Sequence, residues 1–372
     1  MKIEYAFVAF TIAVLLARFL KLLRGRVLFL FVANLGLVTA VFFPENPRSA
    51  GYLLVAVVIH YLLLRFEKIP QFLLYVLPLS FLVWFKLDST LALVGFSFLT
   101  FRMLSASIEV KARKVSGFSL PSYVTYCFFF PTLKLGPIGT LRDHLESEES
   151  PGQLNWPQLM RVLWGATKYL FLCRYFRNFM GAFGYSEWAG VDSVPELILT
   201  GFTSYVFVFL SFSGFNDIAI GLCHFLGLKM KENFRHPFTA RSISDFWSNW
   251  HISLTDLIKE LLFYPLNIHL LRTFGKNAKA FVTPLVLLIL FLAIGVWHGL
   301  AMNFVWLGLY NAAGAIIAYF FSEGMKKVWP AYQKFLPVRY TSIALTQVFQ
   351  ATSFLFFDNS LEEVQRILSA VF

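Results

Sequence analysis

Apolar stretches alternate with short polar ones along the whole chain, at residues 5–17, 27–43, 50–64, 70–85, 89–104, 121–133, 158–180, 197–227, 280–322 and 340–357. A helix that crosses the hydrocarbon core of a bilayer needs ~20 such residues. The longest run therefore holds two passes, and the shorter ones tilt or re-enter. The pattern predicts an all-α polytopic membrane protein with about nine to eleven transmembrane or re-entrant helices, in a single domain over residues 1–372. No long hydrophilic stretch offers a separate soluble catalytic domain, so any chemistry falls to the membrane part. The first apolar segment has no Ala-x-Ala-like cleavage site and its basic cluster follows it. It reads as a retained first helix, not a cleaved signal peptide.

Composition agrees with the pattern. Hydrophobic residues make up 58% of the 372 and charged residues 14%, against about 25% charged in soluble domains. The net charge of +11 comes from loops. Arg18, Lys21, Arg24 and Arg26 follow the first run, Arg65 and Lys68 the third, and Arg102, Lys111, Arg113 and Lys114 the fifth. Alternate loops are thus basic, as cytoplasmic loops are, which places the N-terminus outside. No basic stripe is interleaved with base-stacking aromatics, which excludes a nucleic-acid partner. Cys127, Cys173 and Cys223 are far apart in apolar sequence and read as packing residues, without the spacing of a metal site or a disulfide.

Two broken stretches and one acidic stretch stand out from the helical pattern. Phe130-Pro131-Thr132-Leu133-Lys134-Leu135-Gly136-Pro137-Ile138 cannot form a straight lipid-exposed helix, and broken backbone at membrane depth must be buried by protein or line a cavity. It is a candidate re-entrant element, with Lys134 snorkelling or attracting a phosphate. Asp143 to Gly152 is the most hydrophilic stretch and reads as a solvated connector. The second break lies in the charge-free tract Ala280–Ser322, at Gly295-Val296-Trp297-His298-Gly299 and on to Asn303. Gly295 and Gly299 permit a close backbone approach or a helix break. An imidazole inside such a tract is costly and faces a cavity, a partner or a substrate; the bland alternative is a hydrogen bond to a nearby carbonyl.

A second histidine lies 47 residues earlier, in Arg241-Ser242-Ile243-Ser244-Asp245-Phe246-Trp247-Ser248-Asn249-Trp250-His251. Ser242 or Ser244 caps a helix predicted to run to Tyr264, where Pro265 stops it. At 100° per residue, Asn249, Ser253, Asp256 and Glu260 form one polar stripe, and Phe246, Trp250, Leu254, Leu257 and Leu261 the adjoining apolar face. His251 falls with Trp247 and Ile258 and points into packed protein, where it either fixes helix packing or does chemistry. Desolvation keeps a buried imidazole neutral, able to accept a proton from a hydroxyl. That is what attack of an alcohol on an acyl thioester requires. No serine or cysteine nucleophile adjoins either histidine, which favours direct transfer over an acyl-enzyme.

At these residues the sequence resembles the membrane-bound O-acyltransferase family, and within it the bacterial branch of alginate O-acetylases and teichoic-acid D-alanyl transfer proteins. The likeness runs from about Gly95 to Leu309. It rests on Phe130-Pro131 with Gly136-Pro137-Ile138, Ser213-Gly214-Phe215 to Gly221, Asn233-Phe234 with Pro237-Phe238, Arg241 to Leu254, and Gly295 to Gly299. The resemblance implies a ring of helices around a central tunnel holding both histidines. His298 matches the family's catalytic histidine and His251 the second active-site position, with Trp297, Trp250, Asn249, Asp217, Trp247 and Asn303 along the tunnel. It further implies no bound cofactor or metal and an acyl thioester donor, acetyl-CoA or an acyl carrier protein, on the cytoplasmic side of a bacterial inner membrane. The acceptor is a hydroxyl of a surface polysaccharide, reached directly or through a periplasmic or surface acyltransferase partner. D-alanyl transfer to teichoic acid and a non-enzymatic transporter of lipid-linked sugars are the alternatives. Lys259-Glu260 and Pro265-Leu266-Asn267-Ile268 depart from the alginate-type pattern, and a lysine cannot reproduce the arginine fork.

Overall fold

The computed structural model describes residues 30–36, 46–88, 90, 95–149 and 155–372. The expected first helix, with the basic cluster from Arg18 to Arg26 and the side of the N-terminus, lies outside them. The described residues are helical, with a single antiparallel bridge between Phe234 and Trp250 in place of any strand. Among the described residues, four helical stretches are long and apolar enough to cross a bilayer: Pro47–Leu64, Val194–Phe225, Lys276–His298 and Met302–Val328. The chain is a multi-pass membrane protein. Its contacts group into two compact units, Met1–Gly165 with Phe215–Glu232, and Ala166–Gly214 with Asn233–Phe372.

The first unit contains α1 (Pro47–Leu64), α2 (Gln71–Leu87), α3 (Phe96–Lys111), α4 (Leu120–Cys127) and α5 (Leu141–Glu149). Local chemistry sets their starts. Asn46 accepts the Ser49 N–H at 3.2 Å ahead of Pro47, and Ser119 accepts the Ser122 N–H at 3.2 Å ahead of Pro121; both are side-chain N-caps with proline in the first turn. Leu53, Val57, Leu74, Leu99, Met103 and Tyr123 are buried at the centre of the core.

The break in the backbone expected at Phe130–Ile138 is present. After α4 the chain makes one turn, Phe130–Leu133, and runs non-helically to α5. Arg102 holds it. Although the sequence pattern assigns Arg102 to a basic loop, it sits inside α3 with 1% of its surface exposed. Its guanidinium donates to the carbonyls of Tyr126 (3.3 Å), Cys127 (2.9 Å) and Phe129 (3.2 Å) and to the Thr132 hydroxyl. Seven residues on, two turns along the same face, the Glu109 carboxylate accepts the N–H groups of Leu141 (2.6 Å) and Arg142 (3.4 Å). One helix thus brings a cation to the carbonyl end of α4 and an anion to the amide end of α5, which complements both helix dipoles. Asn34 completes the arrangement by accepting the Phe130 N–H at 3.0 Å.

This anchoring corrects the reading of the acidic stretch. Residues 143–149 belong to α5, with His144 and Ser147 buried. The connector reading fails because Glu109 and the Thr140 hydroxyl, which accepts the Asp143 N–H at 3.0 Å, cap a helix start there. Arg142 pairs with Asp143 and Glu146 on its exposed side.

A helix from Trp156 to Thr167 (α6) passes through a π turn, Lys168–Leu172, into α7 (Cys173–Gly181). The long α8 (Val194–Phe225) contributes residues to Gly214 to the second unit and the rest to the first. The second unit continues with α9 (Ile243–Asn249), α10 (Ile252–Ile258), a π turn Lys259–Phe263, α11 (Tyr264–Phe274), α12 (Lys279–His298), α13 (Met302–Val328), α14 (Leu336–Asp358) and α15 (Leu361–Val371).

Helices α12 and α13 form a hairpin in which glycines let the backbones touch. A side chain at Gly295 would strike the Phe304 carbonyl, and one at Gly308 would lie 2.7 Å from the Phe291 carbonyl, the small-residue packing typical of helix pairs in lipid. On α13, Tyr310 stacks on Phe349 of α14 at 4.2 Å, and its hydroxyl lies 2.7 Å from that of Thr352. A capping box at Ser360 and Glu363 starts α15, which buries Val364 and Ile367 against Val191, Leu197 and Leu355.

Candidate active site

His298 is the last residue of α12, and the chain turns through Gly299–Ala301 into α13. The break expected between Gly295 and Asn303 is therefore real, and the imidazole sits at a helix end instead of a helix centre. It is half-buried against Trp297 (4.5 Å between ring centres), Phe357 (5.2 Å, edge to face) and Phe304 (6.3 Å, stacked). Asn303 fixes the far side of the turn: its side-chain amide donates to the Phe356 carbonyl at 3.0 Å.

The predicted helix over 243–264 is interrupted. It breaks at Trp250–His251, where His251 has φ 46° and ψ 50°, a left-handed conformation costing a non-glycine residue about 1–2 kcal/mol. A non-local pairing holds it there. The Asn233 carbonyl accepts the Ile252 N–H at 3.0 Å, the Asn233 side chain accepts the Ser253 N–H at 2.9 Å, and the Arg235 N–H reaches the Asn249 carbonyl at 3.0 Å. Because the wheel does not run through 250, Asn249 and Ser253 do not share a stripe. Pro265 does not end a helix either; it lies in the first turn of α11, which a proline accommodates.

The strained residue is nevertheless buried, as the wheel predicted. His251 is 6% exposed, with the edge of Phe212 against its ring at 4.8 Å. Its segment lies outside the four long apolar helices. Burial first, and then the neighbouring imidazole of His298, hold the ring toward its neutral form. The two histidines are thus electrostatic neighbours. One lies at a helix end and one at a strained helix start, both within the second unit.

The remaining expected site residues divide. Trp250 is packing: its ring stacks on Phe246 at 5.4 Å and meets Phe234 at 5.0 Å and Tyr205 at 5.6 Å. Such aromatic pairs contribute about 0.5–1.5 kcal/mol each beyond burial and fix the residue preceding His251. Trp247 lies against Phe291 of α12 at 5.6 Å. Asn249 lines a cavity of about 1200 Å³, its amide donating to the Asp245 carboxylate at 3.0 Å. Asp217 belongs to the first unit, where Arg161 donates to it at 3.0 Å and to Glu232 at 2.7 Å; it is the partner of a structural arginine. Asn233 was not singled out from sequence, although it stands in the Asn233-Phe234 motif, because only the paired backbone shows what it supports.

The model of the MBOAT, membrane-bound O-acyltransferase family, matches residues 51–357. The chain belongs to the membrane-bound O-acyltransferase family. The MBOAT match extends beyond the 95–309 stretch that carried the resemblance, and includes both histidines. Among relatives, a teichoic acid D-alanyltransferase of Bacillus subtilis is 27% identical over 278 residues, 72% of this chain and 68% of that protein. A peptidoglycan O-acetyltransferase of Helicobacter pylori is 30% identical over 224 residues, 57% of this chain and 40% of its own length. A probable alginate O-acetylase of Pseudomonas aeruginosa is 26% identical over 249 residues, 62% of this chain and 45% of its own. The chain spans between about two fifths and two thirds of the length of these relatives.

Proposed function

We propose that this MBOAT protein is a membrane O-acyltransferase that passes a small acyl group from a cytoplasmic thioester donor to a hydroxyl of a cell-surface polysaccharide or of a partner acyltransferase, with His298 as general base. The observation that carries this reading is the pair of neighbouring imidazoles, one ending α12 and one held by strain before α10. In the reaction, His298 takes the proton of the acceptor hydroxyl as its oxygen attacks the thioester carbonyl. The C–O bond forms, the C–S bond breaks, and the proton passes to the departing thiolate. His251, neutral and buried, orients the thioester or polarises its carbonyl. A general base supplies about 10²–10⁴ in rate.

Charge asymmetry supports the direction. The end of the second unit where α12 starts and α13 finishes carries Lys276, Lys279, Lys326, Lys327, Lys334 and Arg339 against Glu323; the end where α12 finishes and α14 meets α15 carries Asp358, Glu362 and Glu363 against Arg366. In this reading the positive-inside rule makes the lysine end cytoplasmic, with His298 toward the opposite side of the membrane.

The acyl group is acetyl in this reading. The coverage of the D-alanyltransferase relative, 68% against 40% and 45% for the two acetylating ones, favours a second reading in which a carrier protein delivers D-alanine to teichoic acid. The test replaces His298 with Ala, matches membrane levels to wild type, and measures acetyl and D-alanyl esters on exported polymer. Loss of one ester with polymer export intact is expected and identifies the group. Unchanged esterification overturns the assignment.

A further inference from the structure

Helices α13 and α14 each bury a carboxamide that the acyl-transfer reaction leaves unused. Asn311 is 4% exposed and Gln350 3%. The Asn311 amide donates to the Leu307 carbonyl at 3.0 Å. Among the described residues, however, no donor reaches its oxygen, and the side-chain nitrogen of Gln350 has no acceptor. A buried donor or acceptor left unmade is costly, and such groups are normally satisfied by protein or by ordered water. The indole N–H of Trp247, which packs on the cluster of Ile243, Leu290, Phe291, Ala312 and Ala315, is a third such group.

Their places on the helices aim both carboxamides at one interior. On α13, Gly308 meets the Phe291 carbonyl of α12, while Tyr310 and Gly314 meet Phe349 of α14; Asn311 falls between these two faces. On α14, Gln347 and Ala351 meet Tyr205 and Gly201 of α8, Phe349 meets α13, and Gln350 falls between them. The Tyr310–Phe349 stack, one residue before each carboxamide, sets the two at the same depth.

That depth is fixed relative to His298. Phe304 and Phe357, whose rings lie 6.3 and 5.2 Å from the imidazole, stand seven residues from Asn311 and Gln350 on the same helix faces. Seven residues make two turns, about 10 Å. An acetyl or D-alanyl group held at His298 ends well short of the carboxamides, whereas an octanoyl chain reaches them.

We propose that Asn311 and Gln350 hold water at the floor of the acyl-binding space and thereby restrict the protein to short acyl groups. This rests on the acyl-transfer reading and deepens its substrate class. A hydrocarbon chain that reaches the floor displaces this water and offers no hydrogen bond in return, so both carboxamides stay buried and unpaired. A short acyl group leaves the water in place. Selectivity thus comes from a penalty on the wrong substrate.

The test measures binding of acetyl and octanoyl thioesters, each on coenzyme A and on a phosphopantetheinylated carrier protein, to the purified full-length protein in nanodiscs, against empty nanodiscs. Wild type is expected to prefer the acetyl thioester. N311L and Q350M keep most of the volume and remove the polar atoms; each should raise the octanoyl-to-acetyl binding ratio about tenfold or more. N311S and Q350S keep a hydroxyl and add space, and should continue to exclude octanoyl. Equal binding of the two thioesters by wild type overturns the proposal. Octanoyl binding gained as fully by the serine pair as by the apolar pair makes the exclusion steric and overturns it too. So does an apolar pair that loses acetyl binding without gaining octanoyl. The acyl-transfer reading fails separately: if the binding ratio follows the carboxamides but wild type esterifies no exported polymer, the chain-length limit stands and transfer does not.

Discussion

The two units each contain a broken backbone at a junction of helices, but they treat the break in opposite ways. In the first unit, the segment between α4 and α5 has its loose carbonyls gathered by Arg102 and its loose amides by Glu109. Both of these buried charges are engaged in closing the break. In the second unit, Asn233 closes the break at Trp250–His251 from outside, and the residue placed at the strained position is an imidazole beside a second imidazole. A broken segment in a membrane protein is therefore not a site by itself. What matters is whether its titratable groups serve the backbone or face something else.

Four substitutions test this contrast. Arg102→Met should have the largest effect on folding. It leaves the carbonyls of Tyr126, Cys127 and Phe129 without their donor, at a cost of about 1–3 kcal/mol for each buried group, and is expected to abolish recovery of monodisperse protein in size-exclusion chromatography. Recovery at wild-type level would show that the guanidinium does not close the break. Next comes Asn233→Ala, which removes the acceptor of the Ser253 N–H. It should lower melting temperature by an amount matching about 1–3 kcal/mol and reduce acyl transfer by more than the loss of folded protein explains, since His251 is then free to leave its left-handed conformation. Transfer that merely follows folded protein would make Asn233 a scaffold residue.

A smaller effect is expected of Glu109→Gln. The amide oxygen still accepts from Leu141 and Arg142 but brings no charge to the α5 terminus, so a loss of about 0.3–1 kcal/mol should appear as a slightly lower midpoint of thermal unfolding with unchanged transfer. Lys134→Met should change least. Lys134 lies half-buried within the first unit's closed break, and transfer and stability at wild-type level are expected; a loss of transfer would move a functional cation into the wrong unit.

Much of this contrast was legible in the sequence, for definite physical reasons. A charge-free run of 43 residues (280 to 322) is too long for one span and has to fold back, so a helix end near His298 followed from length alone, and glycine marked where. Prolines marked the break after Phe130. The break at His251 carried no such mark. No glycine or proline interrupts Ser242–Tyr264, and the interruption is imposed by pairing with residues 233–235, which a helical wheel does not contain. Arg102 was hidden for the opposite reason: a lone arginine near the end of an apolar run reads as the start of a basic loop until its carbonyl partners, 24 to 27 residues away, are seen. Asp217 looked like a tunnel residue because its ion partner, Arg161, lies 56 residues before it and the second carboxylate that Arg161 binds, Glu232, 15 residues after it.

The most direct test of the contrast follows two quantities, folded protein and acyl transfer, in one reconstituted vesicle preparation of His298→Ala. The account predicts a melting curve and chromatographic profile like those of wild type, with transfer from thioester to acceptor lowered about 10²–10⁴-fold. An H298A protein that transfers acyl groups at the wild-type rate would contradict it, as would one whose loss of transfer is fully explained by loss of fold.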